Sequence, residues 1–480
     1  MKSISSQTFE YLAFKILLAI LIITPLLFNL WSCMPYELDS ITIFRFLVEI
    51  IFITWLVSCK KLKHVLKKIF YQLKNYDFFS LEFLLILYLL VYSLASFFSE
   101  HFSDSVLGLE DRIMGLFTIG HGILLFFLIK DLISKNRFYK IIKTLAFVSV
   151  PVCAYAILQG LGIDFPSLHT FYASADKILS RSFSTLGHPN YLGLFLAMII
   201  IFTFLLAWKS KKVGWKIIYF FIIILQVVSL ILTLTRSAWL AFAGSLFVFI
   251  ICLIIFFPKK KEYYQHVIVF IILLSIIFGA YKGLIKTRSS EEFDQSTGYA
   301  RIQDYKFAWS KILQRPILGY GPETYMYLSM QRQISDQELA IDDRLSDRVH
   351  NVFLDILINT GFVGLIIYLL IWLKILHLIW IGLKNKSIEI LAIFSSLAAY
   401  FIWMNLNFDF SISLILFFVM ISALYGLNFR KKLETVDQKK LQVSKEKISW
   451  PLLICVILLL IFAFYTNIWH SVKGVLCYFS

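Results

Sequence analysis

Arg112, Arg181, Arg236, Arg301 and His350 stand beside the ends of long apolar stretches and not within them. Guanidinium is always charged, and its planar fork matches the oxygens of a phosphate. Several arginines gathered on one side therefore suit an anionic partner such as a diphosphate. His350 is the member of the set that changes charge near neutrality. Within hydrogen-bond reach of a substrate hydroxyl it would act as a general base; alone at the start of an apolar stretch it would equally serve as a helix cap. Arg112 follows Glu110 and Asp111. Arg181 opens Arg-Ser-Phe-Ser-Thr-Leu-Gly-His-Pro-Asn, in which His188 reads as part of a turn. Arg236, in Thr-Leu-Thr-Arg-Ser-Ala-Trp, has almost no loop around it, so it either binds a ligand at a membrane edge or snorkels to head groups. Arg301 starts a stretch of helical periodicity, where solubility or lipid phosphate is the simpler use.

These residues need a scaffold, and composition says which kind. Of 480 residues 59% are hydrophobic and 16% charged, with mean hydropathy +0.78. An ordinary soluble domain is roughly 25% charged. A soluble chain could not hide so much apolar surface, so the expected fold is all-α and polytopic in a membrane. The net charge of +16 fits loops on the cytoplasmic side and not nucleic acid, because no basic stripe lies outside the apolar runs. Six cysteines form no C-x-x-C pair.

Thirteen apolar runs are long enough to span a bilayer: 11–31, 41–58, 79–98, 114–133, 141–159, 188–208, 217–234, 238–257, 264–282, 352–373, 389–408, 411–428 and 449–469. With the N-terminus in the cytoplasm, the inner loops hold 27 Lys and Arg and the short outer loops four. The chain thus divides into nine spans (1–282), a large outer loop (283–351), three spans (352–428), a basic inner loop (429–448) and an added C-terminal helix with a short tail (449–480). Within the large loop, Ile302, Tyr305, Trp309, Ile312 and Leu313 predict a short amphipathic helix on the membrane surface. Arg315-Pro316 and Gly319-Tyr320-Gly321-Pro322 end it. The loop's acidic residues have no metal-ligand spacing, and no nucleotide-type glycine loop is present, so neither a metal nor a cofactor is expected. Arg45 and Glu49, four residues apart inside the second span, predict an ion pair or an ion relay. Asp409 faces the outer side, where it would neutralise an arginine.

In their order along the chain, these motifs resemble the O-antigen ligase and O-antigen polymerase superfamily of bacterial membrane glycosyltransferases, which includes protein O-oligosaccharyltransferases. The resemblance is carried by Gly108 through Arg112 to Gly115, Arg181 through Gly187-His188-Pro189-Asn190, and Thr233 through Arg236 to Trp239. It continues in Arg301 with Trp309, Pro316 through Gly319 to Pro322, His350-Asn351 and Gly361 to Gly364. It implies a C-class membrane glycosyltransferase fold in the bacterial cytoplasmic membrane. It implies an undecaprenyl-diphosphate-linked glycan donor, a glycan, lipid or protein acceptor, and metal-free inverting transfer. Carried over residue by residue, it implies diphosphate contacts at Arg181, Arg236 and Arg301, a catalytic His350 and a recurrent arginine at Arg112. The sequence departs from the family at His188, where Asn is commoner. The rival class is a transporter or flippase for lipid-linked sugars, which would need ionisable groups through the membrane depth.

Overall fold

The computed structural model describes residues 6–29, 31–32, 35–58, 79–109, 112–163, 181–257, 295–335 and 346–440, with single positions 268, 272, 275, 279, 465 and 467. The described residues form helices and no strand. In chain order these are α1 (Ser6–Ile23), α2 (Glu37–Ser58), α3 (Leu81–Phe97), α4 (Phe102–Leu107), α5 (Leu116–Ile129), α6 (Lys135–Gly160) and α7 (Pro189–Lys209). Then follow α8 (Val213–Leu232), α9 (Arg236–Phe256), α10 (Gln295–Gln314), α11 (Tyr325–Ser335), α12 (Val352–Lys384), α13 (Ile388–Met404) and α14 (Ser411–Lys440).

Six of them, α6, α7, α8, α9, α12 and residues 411–429 of α14, are long and apolar enough to cross a bilayer; α3, α5 and α13 are shorter apolar helices. The chain is an all-α, multi-pass membrane protein. The ninth and thirteenth expected spans lie outside the described residues apart from isolated positions. The bundle is built around α7, which is apolar on every side and buried along almost its whole length. It packs against α6, α8, α9 and α13. Its start is set by His188, whose Nδ1 accepts from Asn190 N, and by Pro189 in the first turn, where a missing N–H costs nothing.

Helix ends depart from the apolar runs. α12 continues to Lys384, α14 to Lys440, and α6 begins at Lys135, so the described residues of the connections expected at 374–388, 429–448 and 134–143 are largely helical. At about 1.5 Å per residue, the part of α12 that follows Gly361 (362–384) is about 35 Å long, slightly beyond a hydrocarbon core of about 30 Å. Hydropathy marks the hydrocarbon, whereas backbone hydrogen bonding runs on into the head groups.

A second departure matters more for the site. α12 is broken at Gly361, whose backbone sits at φ 66°, ψ −168°. The break opens the helix to the 316–321 segment. Tyr320 N donates to Ile358 O (2.7 Å) and Gly321 N to Asn359 O (3.1 Å), while Phe362 N donates to Pro316 O (2.8 Å). Irregular backbone at membrane depth survives only where protein groups satisfy it, and this loop supplies them. A side chain at Gly361 would lie 2.2 Å from Ile317 O in a region open to glycine alone. Gly361→Ala is expected to destabilise the protein by at least about 1–3 kcal/mol; a thermal melt in detergent, compared with Gly214→Ala, where a side chain meets nothing within 4 Å, checks it.

The expected Arg45–Glu49 pair is not formed. Arg45 turns to Thr118 and to the carbonyls of Leu107 and Ile113, and Glu49 lies 3.1 Å from His121 Nε2 and accepts from Asn467 Nδ2 at 3.1 Å. Neighbouring helices offer each group better-placed partners than the next turn of its own helix does.

Candidate active site

Four loops and one helix meet at one end of the bundle. The first loop carries Arg181. Gln159 Oε1 accepts from Phe183 N and Ser184 N, Ser182 Oγ donates to Ala156 O, and Ser182 N donates to Leu232 O. These bonds lay the segment across the ends of α6 and α8. Arg181 is thereby aimed at the α8–α9 turn: Nε donates to Thr233 O (3.2 Å), and Nη2 to Asn190 Oδ1 (3.2 Å) and Thr235 Oγ1 (3.0 Å). Asn190 Nδ2 in turn donates to Asn407 Oδ1 at 3.4 Å. Arg236 begins α9 directly after Thr235 and is exposed at the rim.

The second and third loops bring Arg112 to the histidine. Arg112 Nη2 lies 2.5 Å from Asp347 Oδ2, and its guanidinium covers the Phe408 ring at 3.9 Å. The His350 ring meets the same Phe408 edge-on, with centroids 5.0 Å apart. Phe408, from the fourth loop, is a wall shared by a cation and an imidazole. His350 holds a left-handed backbone (φ 58°) that few non-glycine residues adopt. Two contacts fix it there: Tyr305 OH of α10 donates to His350 O (3.3 Å), and Asn351 caps α12 by accepting from Phe353 N and Leu354 N. Next to it Arg348 is buried between Glu323 and Asp355, pairing closely with the first and at 3.6 Å with the second. Those two carboxylates hold the Arg348 charge firmly on, despite its burial. Arg348 thus ties the loop after Gly321 to the first turn of α12, and the histidine between them is held from both sides.

The electrostatics follow from this packing. Burial, with the Arg301 charge next, pushes the His350 imidazole down to about 4; Arg112 acts in the same direction and Asp347 against it. His188 is pushed down to about 3 by burial and then by Arg181, Arg112 and His350. One field therefore joins Arg112, Arg181, Arg301 and His350, and Arg236 stands beside it at the edge. Both histidines are uncharged at neutral pH. His350 Nδ1 is buried with no hydrogen-bond partner among the described residues. The arrangement can receive a polyanion on its arginines and a proton on an imidazole.

Some expectations resolve differently. α10 is longer than the 302–313 helix, and it buries Ala308 and Ile312 while Ile302, Trp309 and Leu313 stay exposed. Asp409 accepts from Tyr400 OH (2.6 Å), Phe410 N (3.2 Å) and Ser413 Oγ, so it serves its own loop; Asp347 is the carboxylate that meets Arg112. Sequence reasoning passed over Arg348, Glu323, Asp347 as a partner, Asn407 and Phe408. Arg348 was signalled by its place two residues before His350. Phe408 carried no signal, being one phenylalanine among 47.

Fold and site together define a polytopic helical membrane protein with arginines gathered around an uncharged histidine at one end of its bundle. The O-antigen ligase family model matches residues 221–369, a segment that contains Arg236, Arg301 and His350. The ComP-specific O-oligosaccharyltransferase of Acinetobacter baylyi (strain ATCC 33305 / BD413 / ADP1) is 24% identical over 283 residues, covering 56% of this chain and 48% of that protein. The match thus spans about half the length of that relative. The chain is thus similar to O-antigen ligases over the segment that holds Arg236, Arg301 and His350, and to this oligosaccharyltransferase over about half of its own length.

Proposed function

We propose that this chain is a membrane glycosyltransferase that transfers or polymerises oligosaccharide carried on undecaprenyl diphosphate, at the outer side of the cytoplasmic membrane. In the step proposed, an acceptor hydroxyl oxygen attacks the anomeric carbon of the donor sugar as the bond from that carbon to the diphosphate oxygen breaks. The configuration inverts, His350 takes the hydroxyl proton, and Arg181, Arg236 and Arg301 offset the charge that develops on the departing diphosphate. Fixed positive groups in a water-poor site do this without a metal ion. Arg112, already paired with Asp347, acts on the histidine. The acceptor is a glycan, a lipid or a protein.

The observation that carries this reading is the pairing of an uncharged, buried His350 with arginines in one electrostatic field. A base must be unprotonated to work, and a leaving diphosphate needs cations. Membranes bearing the chain, given lipid-linked oligosaccharide and a panel of hydroxyl acceptors, are expected to yield a glycoconjugate and free undecaprenyl diphosphate. Movement of the lipid-linked glycan across the membrane with no covalent product would overturn the reading in favour of a transporter.

A further inference from the structure

Arg45 was singled out by its place inside an apolar span, and no step above uses it. It is 0% exposed, in the middle of α2. A guanidinium inside a membrane protein is costly unless its donors are met by acceptors. Here Nε and Nη2 are met by two backbone carbonyls and one hydroxyl, while Nη1 is buried with no partner among the described residues. Nη2 donates to Ile113 O (3.0 Å) and Leu107 O (3.2 Å), Nε donates to Thr118 Oγ1 (3.0 Å), and the Phe117 ring lies 5.0 Å from the guanidinium carbon.

Leu107 and Ile113 are the two ends of one tight loop. Gly108 at φ 94° and Ile113 at φ 50° turn the chain back so closely that a side chain at Gly108 would lie 2.4 Å from Ile113 Cα. Ile113 N closes the loop on Leu109 O at 2.7 Å. Arg112 projects from this loop onto Asp347 and Phe408. The carbonyls that Arg45 grips flank the residue that the loop presents.

We propose that Arg45 is a positioning residue of the transfer reaction, stapling both ends of the 108–113 loop so that Arg112 stays on Asp347 beside His350. The inference rests on the reading of His350 as the base. With the staple gone, Arg112 leaves, and Asp347 faces the imidazole unpaired. The groups that then bear on His350 are Asp347 of its own loop, Arg301 of α10 and His188 at the start of α7. One cation is lost and one anion is released, so His350 binds a proton more readily. A base that protonates more readily stops working at a higher pH on the acid side.

The test is the pH–rate profile of glycan transfer for the native chain, Arg45→Gln, Arg112→Ala, the double variant and His350→Ala, each with a thermal melt. Arg45→Gln is expected to move the acid limb upward by about one pH unit, with most of the rate returning on the alkaline side. Arg112→Ala is expected to produce the same shift, and the double variant no more than either alone. An unmoved limb in Arg45→Gln, a rate lowered equally at every pH, or additive shifts would overturn the proposal while leaving a dead His350→Ala intact. Full transfer by His350→Ala would overturn the parent reading and this one together. Should Arg45→Gln fail to insert, Arg45→Lys is read by the same criteria, since a point charge cannot hold both carbonyls and Thr118.

Discussion

His350→Ala is expected to lower glycan transfer by about 10²- to 10⁴-fold, the range that a positioned general base contributes, while the protein inserts and melts as the native chain does. Transfer from lipid-linked donor in membranes, normalised to inserted protein, is the measurement. Removing the ring leaves the backbone contacts of this position in place, since Tyr305 holds the carbonyl and Asn351 makes the cap. A general collapse of α12 is therefore not expected. The pH dependence gives an independent check. His350 sits near 4 because burial and Arg301 disfavour its charged form. The catalytically competent neutral imidazole then persists down through mildly acidic solution, and the rate falls only as the pH drops toward about 4. An unperturbed histidine would lose its base form near 6.5. A native acid limb centred close to 6.5 would show that the arginines do not act on this imidazole; undiminished transfer by His350→Ala would remove it from the chemistry.

The second large effect concerns Arg181. Three hydrogen bonds lock its guanidinium against the α8–α9 turn and Asn190, so its charge is fixed before any ligand arrives. Preorganised positive charge matters most where negative charge develops, which in the proposed reaction is the departing diphosphate. Arg181→Ala is expected to reduce kcat by about 10²- to 10³-fold, with a smaller rise in KM, because the charge on the leaving group grows toward the transition state. Arg181→Lys is expected to recover little, since an ammonium cannot reproduce the fork that meets Thr233, Thr235 and Asn190 together. Steady-state kinetics with purified lipid-linked donor separates the two parameters. A change confined to KM would make Arg181 a binding residue with no share in the chemical step.

The residues behind both expectations stand out in the sequence. Arginine and histidine at the margins of apolar runs are conspicuous because such groups are costly there and common elsewhere. The α8–α9 turn was equally legible, since two apolar runs separated by Thr235-Arg236-Ser237 leave room for nothing else. His188 was read as a turn residue and is one: it caps α7. The depth of the histidine's burial was not legible, nor was the shared wall made by Phe408, because an aromatic residue in an apolar stretch looks the same whether it faces lipid, core or site.

The break in α12 shows the same limit. Hydropathy runs unbroken through Gly361, and the carbonyls left open there are met by N–H groups about 40 residues earlier in the chain. Arg45 and Glu49 make the point for charges. Their spacing announced that something must neutralise them, and each found its partners on other elements: Thr118 and two carbonyls for one, His121 and Asn467 for the other.

What was written in the linear chain is the membrane class, most helices, and the kinds of groups available for chemistry, because apolar length and charge are properties of single residues and short windows. What arose only on folding is which groups share one field: Arg112 with Asp347, Arg348 between two carboxylates, His350 held uncharged beside Arg301. Those depend on distances between segments far apart in the chain, and Coulomb energy and hydrogen bonding are set by such distances and not by spacing along the sequence.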